Sequence, residues 1–278
     1  KKNEFFFKNL IKIKKKKALI LEDGNFITYQ KLLKDSELIS KNLERKKKLV
    51  FILGQNNIET ITGYISFVNI GYSVAFLDNK LNSLFLKKLI SLYKPSFIFC
   101  EKNKSKNHKM FKNIFSFKSY VLLKSLHDSK NIIHKDLMLL MSTSGSTGSP
   151  KFVRQSYVNV LLNTKKIIKY LNIKKTDITI TTLPITYVYG LSVINTHLFS
   201  GSSIILNNFS MVEKKFWNLI TNFKVNNFSG VPYNYSIIEK ISKKGLPSSL
   251  KYTTQAGGKM NHILLKKIID IYKRYKIK

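Results

Sequence analysis

The chain has 278 residues, 44% of them hydrophobic, and it carries a formal net charge of +34. A chain of this length and composition is not a disordered tail, and it has room for one large domain or two modest ones. Its one cysteine, Cys100, excludes an internal disulfide and a thiolate metal cluster, which is typical of a cytoplasmic protein.

Short β-rich segments alternate with amphipathic helices in the first half of the chain. Strands are predicted over residues 18–21, 49–53, 73–77 and 96–100. Helices are predicted over residues 28–43, 57–70 and 84–93, the first with Thr28 as its N-cap. The stretch 60–77 has no charge but contains glycines and hydroxyls, so we interpret it as a buried helix and a strand, not a membrane span. This order predicts a parallel sheet with helices on both faces.

The second half of the chain continues the alternation. Residues 102–109 are typical of a surface loop, and further elements are predicted as strands over 120–123 and 137–142 and a helix over 157–171. A second sheet is predicted from strands over 178–182, 203–206, 227–229 and 251–255, with helices over 191–199, 214–223 and 261–275. We therefore predict an α/β fold of two parallel-sheet subdomains flanked by helices. Residues 1–175 form the first, and residues 176–278 a second, truncated one.

Residues 142–151 combine hydroxyls, two glycines, a proline and a lysine directly after a predicted strand. Such a loop can curl its backbone N–H groups around phosphate oxygens, and Lys151 adds a positive charge at its exit. It is not a Walker A loop, because Gly148 is not followed by Lys, and it lacks the first glycine of a dinucleotide fingerprint. It is not a nucleophile elbow either, because Ser146 directly follows Gly145. A flexible surface loop is the alternative interpretation.

Residues 143–151 resemble the phosphate-binding signature of the ANL superfamily of adenylate-forming enzymes, which runs Ser/Thr-Ser-Gly-Ser/Thr-Thr-Gly-x-Pro-Lys. This superfamily includes acyl-CoA and aryl-CoA synthetases, nonribosomal adenylation domains and luciferases. Other segments resemble further blocks of the family in the right order, at residues 26–32, 55–57, 71–78, 183–191, 201–206, 230–232 and 255–260. The resemblance therefore covers nearly the whole chain.

The resemblance implies an acid–thiol ligase. In that reaction a carboxylic acid and ATP give an acyl-AMP and pyrophosphate, and the thiol of CoA or of a carrier-protein phosphopantetheine then takes the acyl group. The loop is expected to bind the β- and γ-phosphates of ATP, with Mg²⁺ neutralising their charge, through Thr143, Ser144, Gly145, Ser146, Thr147, Gly148 and Lys151. Lys151 and Thr147 are the expected catalytic residues, and no protein side chain is predicted to bind a metal.

Two further segments are implied by the resemblance to contact the ligands. Gly257 and Gly258 are expected to lie against the adenine and the acyl group, where a side chain would collide. The acyl pocket is expected to be lined by Tyr187, Val188, Tyr189 and Gly190. Amino-acid-activating relatives carry an Asp at the place of Val188, which disfavours an amino acid as substrate. Tyr187 and Tyr189 are compatible with a pocket for an aryl or short acyl group. The alternative is that they are aromatic residues of the core.

The sequence departs from the family pattern at three points. Phe152 stands where the family usually has Gly, and Tyr157 where a His is common. The family's Tyr-Gly-x-Thr-Glu motif, its ribose-binding Asp, its hinge and its C-terminal catalytic Lys do not follow the last matching block. We therefore interpret the sequence as the N-terminal part of a longer enzyme, and we expect this segment alone to be inactive.

The positive charge leaves a different class of function open. Nearly all basic residues are Lys, with Arg only at positions 45, 154 and 274, and they are spread along the chain. This pattern favours compositional drift over a selected phosphate-binding surface. The alternatives to a ligase are a degenerate nucleotide- or acyl-binding relative without catalysis and a basic nucleic-acid-binding protein. The predicted partner is a small carboxylate, with an acyl carrier protein as a further partner if the acceptor thiol is a phosphopantetheine; no nucleic acid and no transmembrane segment are predicted.

Overall fold

The computed structural model describes residues 7, 10, 13–106, 108, 110–127, 132–142 and 151–278. The strands in the described part of the chain are β1 (Lys17–Ile20), β2 (Phe26–Thr28), β3 (Leu49–Gly54), β4 (Ser73–Asp78), β5 (Phe97–Glu101), β6 (Phe111–Phe117), β7 (Tyr120–Ser125), β8 (Leu137–Ser142), β9 (Phe152–Ser156), β10 (Ile178–Ile180), β11 (Ser203–Ile205), β12 (Asn227–Gly230) and β13 (Tyr252–Gln255).

The helices in the same residues are α1 (Tyr29–Ser40), α2 (Ile58–Asn69), α3 (Ser83–Tyr93), α4 (Lys102–Ser105), α5 (Tyr157–Leu171), α6 (Val188–Ser200), α7 (Lys214–Asn222), α8 (Pro232–Ile241) and α9 (His262–Tyr275). The N-cap predicted at Thr28 is confirmed, since its hydroxyl accepts a hydrogen bond from the backbone N–H of Lys31 at 3.2 Å. Helix α5 has the bounds predicted for it, with Ser156 as its N-cap. The segment predicted as a loop after β5 begins with the single turn α4, and α8 was not predicted.

The strands form two sheets flanked by helices, which confirms the predicted α/β class. The seven-stranded sheet has the order β6-β7-β5-β3-β4-β8-β9, and the six-stranded sheet the order β13-β12-β10-β11-β1-β2. Both sheets are parallel in the middle, but β2, β6, β7 and β9 pair antiparallel at the edges. The antiparallel edges are an addition to the predicted parallel sheets, because short hairpins can add strands whose exposed faces lack a long hydrophobic run.

The first strand of the chain belongs to the six-stranded sheet. β1 lies parallel to β11, with Leu19 opposite Ile204. One continuous hydrophobic core contains these two residues together with Val50 and Val74 of the seven-stranded sheet. Sheet membership therefore does not follow chain order. The division of the chain at residue 175 stays a prediction, and this core contains residues from both sides of it.

Helix α6 is held along its length by tyrosines from the N-terminal part of the chain. The hydroxyl of Tyr64 on α2 donates to Oδ1 of Asn195 at 3.1 Å, and the hydroxyl of Tyr29 donates to the carbonyl of Ser202, just after α6, at 2.6 Å. Both tyrosines are fully buried. These bonds fix α6 relative to both sheets, because a buried hydroxyl left without its partner would be costly.

A chain of buried polar groups links α6 to the six-stranded sheet. His197 contacts the carbonyl of Val193 through Nδ1 at 2.9 Å and Oδ1 of Asn227 through Nε2 at 3.1 Å. The amide of Asn227 donates to Oδ1 of Asn226, whose amide donates to Asp177, each at 2.9 Å. All four residues are buried, so their polar groups depend on one another for hydrogen-bond partners.

We expect the buried polar groups around His197 to make the free energy of unfolding depend on pH. Burial lowers the pKa of His197, against the bonds to Val193 and Asn227 and the charge of Asp177, which raise it. In the unfolded chain the pKa of a histidine is about 6.5. Below that pH, His197 therefore binds more protons in the unfolded chain than in the native protein. The free energy of unfolding should fall as pH drops below that value, by at most about 1.4 kcal/mol per pH unit from this group.

Urea unfolding between pH 5 and 8 measures this slope. His197→Gln should flatten it, while the same exchange at the exposed His262 serves as a control that leaves it unchanged. Equal slopes in all three proteins would show that His197 does not titrate on unfolding. Some slope should remain in His197→Gln, because burial also lowers the pKa of His108.

In the described part of the chain, we find no helix that is long and apolar enough to cross a membrane.

Candidate functional site

The predicted phosphate-binding loop joins two neighbouring strands. β8 and β9 pair antiparallel, with Ser142 opposite Phe152. The residues predicted to bind phosphate lie outside the described residues, namely Thr143, Ser144, Gly145, Ser146, Thr147 and Gly148. Lys151 is described, and its side chain is exposed directly before β9. Because β8 also lies parallel to β4, this lysine follows the loop at the carboxyl edge of the parallel strands, where open α/β sheets bind ligands.

Two departures from the family pattern have a structural explanation. The ring of Phe152 packs at 4.9 Å from the ring of Tyr93 and 6.4 Å from that of Phe51, centre to centre. Tyr157 is buried, and its hydroxyl donates to the carbonyl of Tyr72 at 3.0 Å. Burial raises the pKa of this tyrosine. Both residues therefore stabilise the body of the seven-stranded sheet.

The four residues predicted to line an acyl pocket begin helix α6. Tyr187 is the N-cap, and Val188 is the first helical residue; both side chains are exposed. Tyr189 lies one residue further and reaches across to β13. Its hydroxyl donates to the carbonyl of Thr254 at 3.0 Å and lies 2.9 Å from the hydroxyl of the same residue. Tyr189 is therefore a link between α6 and the end of β13.

Gly190 permits a close approach of two backbone segments. A Cβ atom at this position would lie 2.1 Å from the carbonyl oxygen of Pro184 and 3.0 Å from that of Leu183. The first turn of α6 thus rests directly on the loop that leads into it. This position requires glycine for packing, which is a structural reason beside the predicted role in the pocket.

The glycine pair predicted to face the nucleotide follows β13. Gly257 has φ +80°, a conformation that side-chain-bearing residues rarely adopt, and an added Cβ would lie 3.1 Å from Val231. Gly258 could take a Cβ in ordinary contact with Pro232, at 3.4 Å. Both glycines are exposed. The pair presents bare backbone beside the start of α8, as a flat ligand such as adenine would need.

Hydroxyls join the carboxyl ends of three neighbouring strands. Thr182, which follows β10, donates to the carbonyl of Ser229 in β12. The hydroxyl of Ser229 lies 2.7 Å from that of Thr254 in β13, which is also the partner of Tyr189. The structure thus brings the start of α6 to the strand end that leads into Gly257. It gives no contact between these residues and Lys151.

Two contributors to this arrangement were not predicted as site residues. Thr254 joins β13 to Tyr189, and Asn56 bonds to the loop before α6. Asn56 had a signal in the sequence, since residues 55–57 resemble one of the family's blocks. Thr254 had none, because its role depends on a partner 65 residues away. In the described ranges, no cluster of three or more His, Cys, Asp or Glu side chains could hold a metal ion.

Comparison with known proteins decides the family. Residues 7–277 match the AMP-binding enzyme family, which is nearly the whole chain. The chain belongs to this family. Members with similar sequences include a 2-succinylbenzoate–CoA ligase from Oceanobacillus iheyensis, which is 26% identical in an alignment that covers 94% of this chain and 56% of that protein. A D-alanine–D-alanyl carrier protein ligase from Staphylococcus aureus is 23% identical over 74% of this chain and 43% of its own length.

Solved structures share the fold of this AMP-binding family member. ATP-bound MatB from Rhodopseudomonas palustris superposes with a TM-score of 0.79 at 19% identity, covering 95% of this chain and 56% of that one. The O-succinylbenzoate coenzyme A synthetase MenE from Bacillus subtilis, in complex with AMP, gives a TM-score of 0.78 at 20% identity over 96% of this chain and 56% of that one. The chain spans about half the length of the relatives it matches.

Proposed function

We propose that this AMP-binding family member takes part in ATP-dependent activation of a carboxylic acid. The observation that carries the proposal is the contact of Tyr189 with Thr254, because it joins the predicted acyl pocket to the strand that leads into Gly257 and Gly258. A carboxylate held at the start of α6 would then lie beside a nucleotide held against the glycine pair. Family membership supports the same activity.

In this reaction a carboxylate oxygen attacks the α-phosphorus of ATP. The new P–O bond gives the acyl-AMP, and the bond from the α-phosphorus to the bridging oxygen breaks, so that pyrophosphate leaves. A thiol sulfur then attacks the acyl carbon and AMP leaves, which forms the thioester. Because the carboxylate is a weak nucleophile and the leaving group is highly charged, positioning and charge stabilisation do most of the catalysis.

The roles of the chain's residues in this proposal follow from their chemistry. Lys151 and Thr147 would hold the phosphates, the first by charge and the second by its hydroxyl. Bound Mg²⁺ would neutralise the phosphate oxygens, and it would be held by ATP itself. Tyr187 and Val188 would contact the acid. Val188 offers no charge to an α-ammonium group, which disfavours an amino acid and favours an aryl or acyl carboxylate. The thiol acceptor is CoA or a carrier-protein phosphopantetheine.

Replacing Lys151 tests the phosphate site. We expect Lys151→Ala to weaken ATP binding by the chain about tenfold, because one charge-assisted bond to the triphosphate is lost. Thr147→Ala should have a smaller effect of the same sign. Calorimetric titration with ATP and Mg²⁺ measures both. Lys165→Ala on α5 is the matched control, since it removes one exposed positive charge that lies outside the loop.

Pyrophosphate release by the complete protein tests the reaction. The panel contains benzoate, 2-succinylbenzoate, butyrate, octanoate and palmitate, each with ATP and Mg²⁺. Release with one class of acid, reduced in Lys151→Ala but not in Lys165→Ala, is the expected result. ATP binding without release for any acid would favour a degenerate relative. Equal loss of ATP affinity in both lysine variants would point to the general positive charge and overturn the assigned role of Lys151.

A further inference from the structure

The side chain of Asn56 bridges the two sheets at the candidate site. It lies in the turn between β3 and α2, at the carboxyl edge of the seven-stranded sheet. Its Nδ2 donates to the carbonyl of Leu183 at 3.1 Å, and its Oδ1 accepts from the N–H of Ile185 at 2.9 Å. These bonds lie on either side of Pro184, which has no N–H of its own. One amide therefore satisfies the backbone on both sides of a proline.

The neighbours of Asn56 act within their own sheet. Oδ1 of Asn57 accepts from the N–H of Thr60 at 2.8 Å and caps helix α2. Nε2 of Gln55 donates to Glu101 at the end of β5 at 3.0 Å. Of these three polar residues, Asn56 alone bonds to the loop of the other sheet. Capping α2 does not require it, so its two bonds have their effect at residues 183–185.

The loop held by Asn56 sets the position of the first turn of α6. The N–H of Tyr187 donates to the carbonyl of Pro184 at 3.1 Å, and Gly190 packs against the same carbonyl. Any shift of Pro184 therefore moves the segment from Tyr187 to Gly190. The middle and the end of α6 are held by Tyr64 and Tyr29, so Asn56 supplies the corresponding bond at the end that carries the pocket residues.

We propose that Asn56 is a positioning residue for the acid substrate, which rests on the proposed function of this site. By holding Leu183 and Ile185, it keeps Tyr187 and Val188 in place relative to the glycine pair, Gly257 and Gly258, that follows β13. Asn56 contacts no reacting atom; it acts through the backbone of the loop. Its loss should weaken use of the acid much more than binding of ATP.

Hydrogen exchange tests, without any ligand, whether Asn56 holds residues 183–185. Asn56→Leu removes both hydrogen bonds while keeping a side chain of similar size, and Asn56→Asp keeps the acceptor for the N–H of Ile185. We expect amide exchange across residues 183–190 to accelerate about tenfold or more in Asn56→Leu, and less in Asn56→Asp, because local opening becomes easier. Asn57→Ala is the matched control, and it should accelerate exchange at the start of α2 instead.

Steady-state kinetics of the complete protein test the positioning role, using the acid of the panel that gives most pyrophosphate. In Asn56→Leu the KM for the acid should rise about tenfold or more, since small misplacements of binding groups are costly, while the KM for ATP stays within about twofold. Asn57→Ala, which also loses a partly buried hydrogen bond, the one from the N–H of Thr60, should leave both KM values unchanged. Thermal melting shows that each variant is folded at the assay temperature.

Three results would overturn the inference. The first is unchanged exchange over residues 183–190 in Asn56→Leu and Asn56→Asp. The second is a KM for ATP that rises as much as the KM for the acid, and the third is the same rise of the KM for the acid in Asn57→Ala, because each of these two would indicate a general loss of stability. Failure of the proposed function looks different, since the wild-type protein would then release no pyrophosphate with any acid while the exchange result still stands.

Discussion

Gly190→Ala should lower the free energy of unfolding by about 3 kcal/mol or more, or prevent folding, because its new methyl group has no space. The added Cβ would lie 2.1 Å from the carbonyl oxygen of Pro184 and 2.7 Å from its carbonyl carbon. Both atoms are backbone, so no side-chain rotation relieves the clash. Relief requires α6 and the loop to move apart, and any movement of the loop strains the bonds that Asn56 makes to it. Chemical denaturation of the purified chain measures the loss.

Gly258→Ala is the matched control for this exchange. Its Cβ would make ordinary contact with Pro232 at 3.4 Å, and its backbone has no positive φ. Its stability should stay within about 0.5 kcal/mol of the wild type, although its ATP affinity should fall if the glycine pair faces the nucleotide. Equal stability of Gly190→Ala and Gly258→Ala would show that α6 can shift without cost, and the packing account of Gly190 would be wrong.

Asp177→Ala should destabilise the protein by about 3 kcal/mol, because it removes the charged end of the buried polar chain. The carboxylate accepts from the amide of Asn226 and from the N–H of Lys174, each at 2.9 Å. Asp177 is 6% exposed, so water cannot replace it without opening the sheet. The amide of Asn226 would lose its partner, and the link through Asn227 to His197 would be disturbed in turn.

The exposed Asp270 on α9 provides the control for charge. Asp270→Ala also removes one of only 15 acidic side chains from a chain of net charge +34, so it raises the overall repulsion by the same amount. Its free energy of unfolding should change by less than about 0.5 kcal/mol. Similar losses in the two variants would assign the effect to net charge. A large loss in Asp177→Ala alone supports the buried chain, and hydrogen exchange at β10 and β12 should rise with it.

The sequence determined most of the local structure because short-range signals were strong. Thr28 and Asn57 are capping residues directly before helical repeats, and both were found as N-caps. Buried strands such as β3 and β4 contain apolar runs of four or more residues, which predict the centre of a parallel sheet. Helix α8 was missed, since Pro232 suggests a break although proline is favourable in a first turn. The edge strands β6 and β9 were missed because both are largely exposed and carry no long apolar run.

The site was predicted as separate segments, and only the tertiary structure joined some of them. Tyr189 was named as a pocket residue with core packing as its alternative, and its bond to Thr254 joins α6 to β13. The roles of Thr147 and Lys151 stay predictions, since the phosphate-binding residues before Lys151 lie outside the described ranges. Gly190 was assigned to the pocket, while its close contact with Pro184 became visible only when the loop was folded against the helix.

The sequence by itself determined the family, the α/β class and the segments that carry the candidate site, because motif order and hydrophobic periodicity are local properties. Tertiary structure decided that β1 pairs with β11, that one core spans both sheets, and that Asn56 holds the loop before α6. These contacts join residues more than a hundred positions apart. No pattern within one element specifies such a partner, because it depends on how the sheets and helices pack against one another.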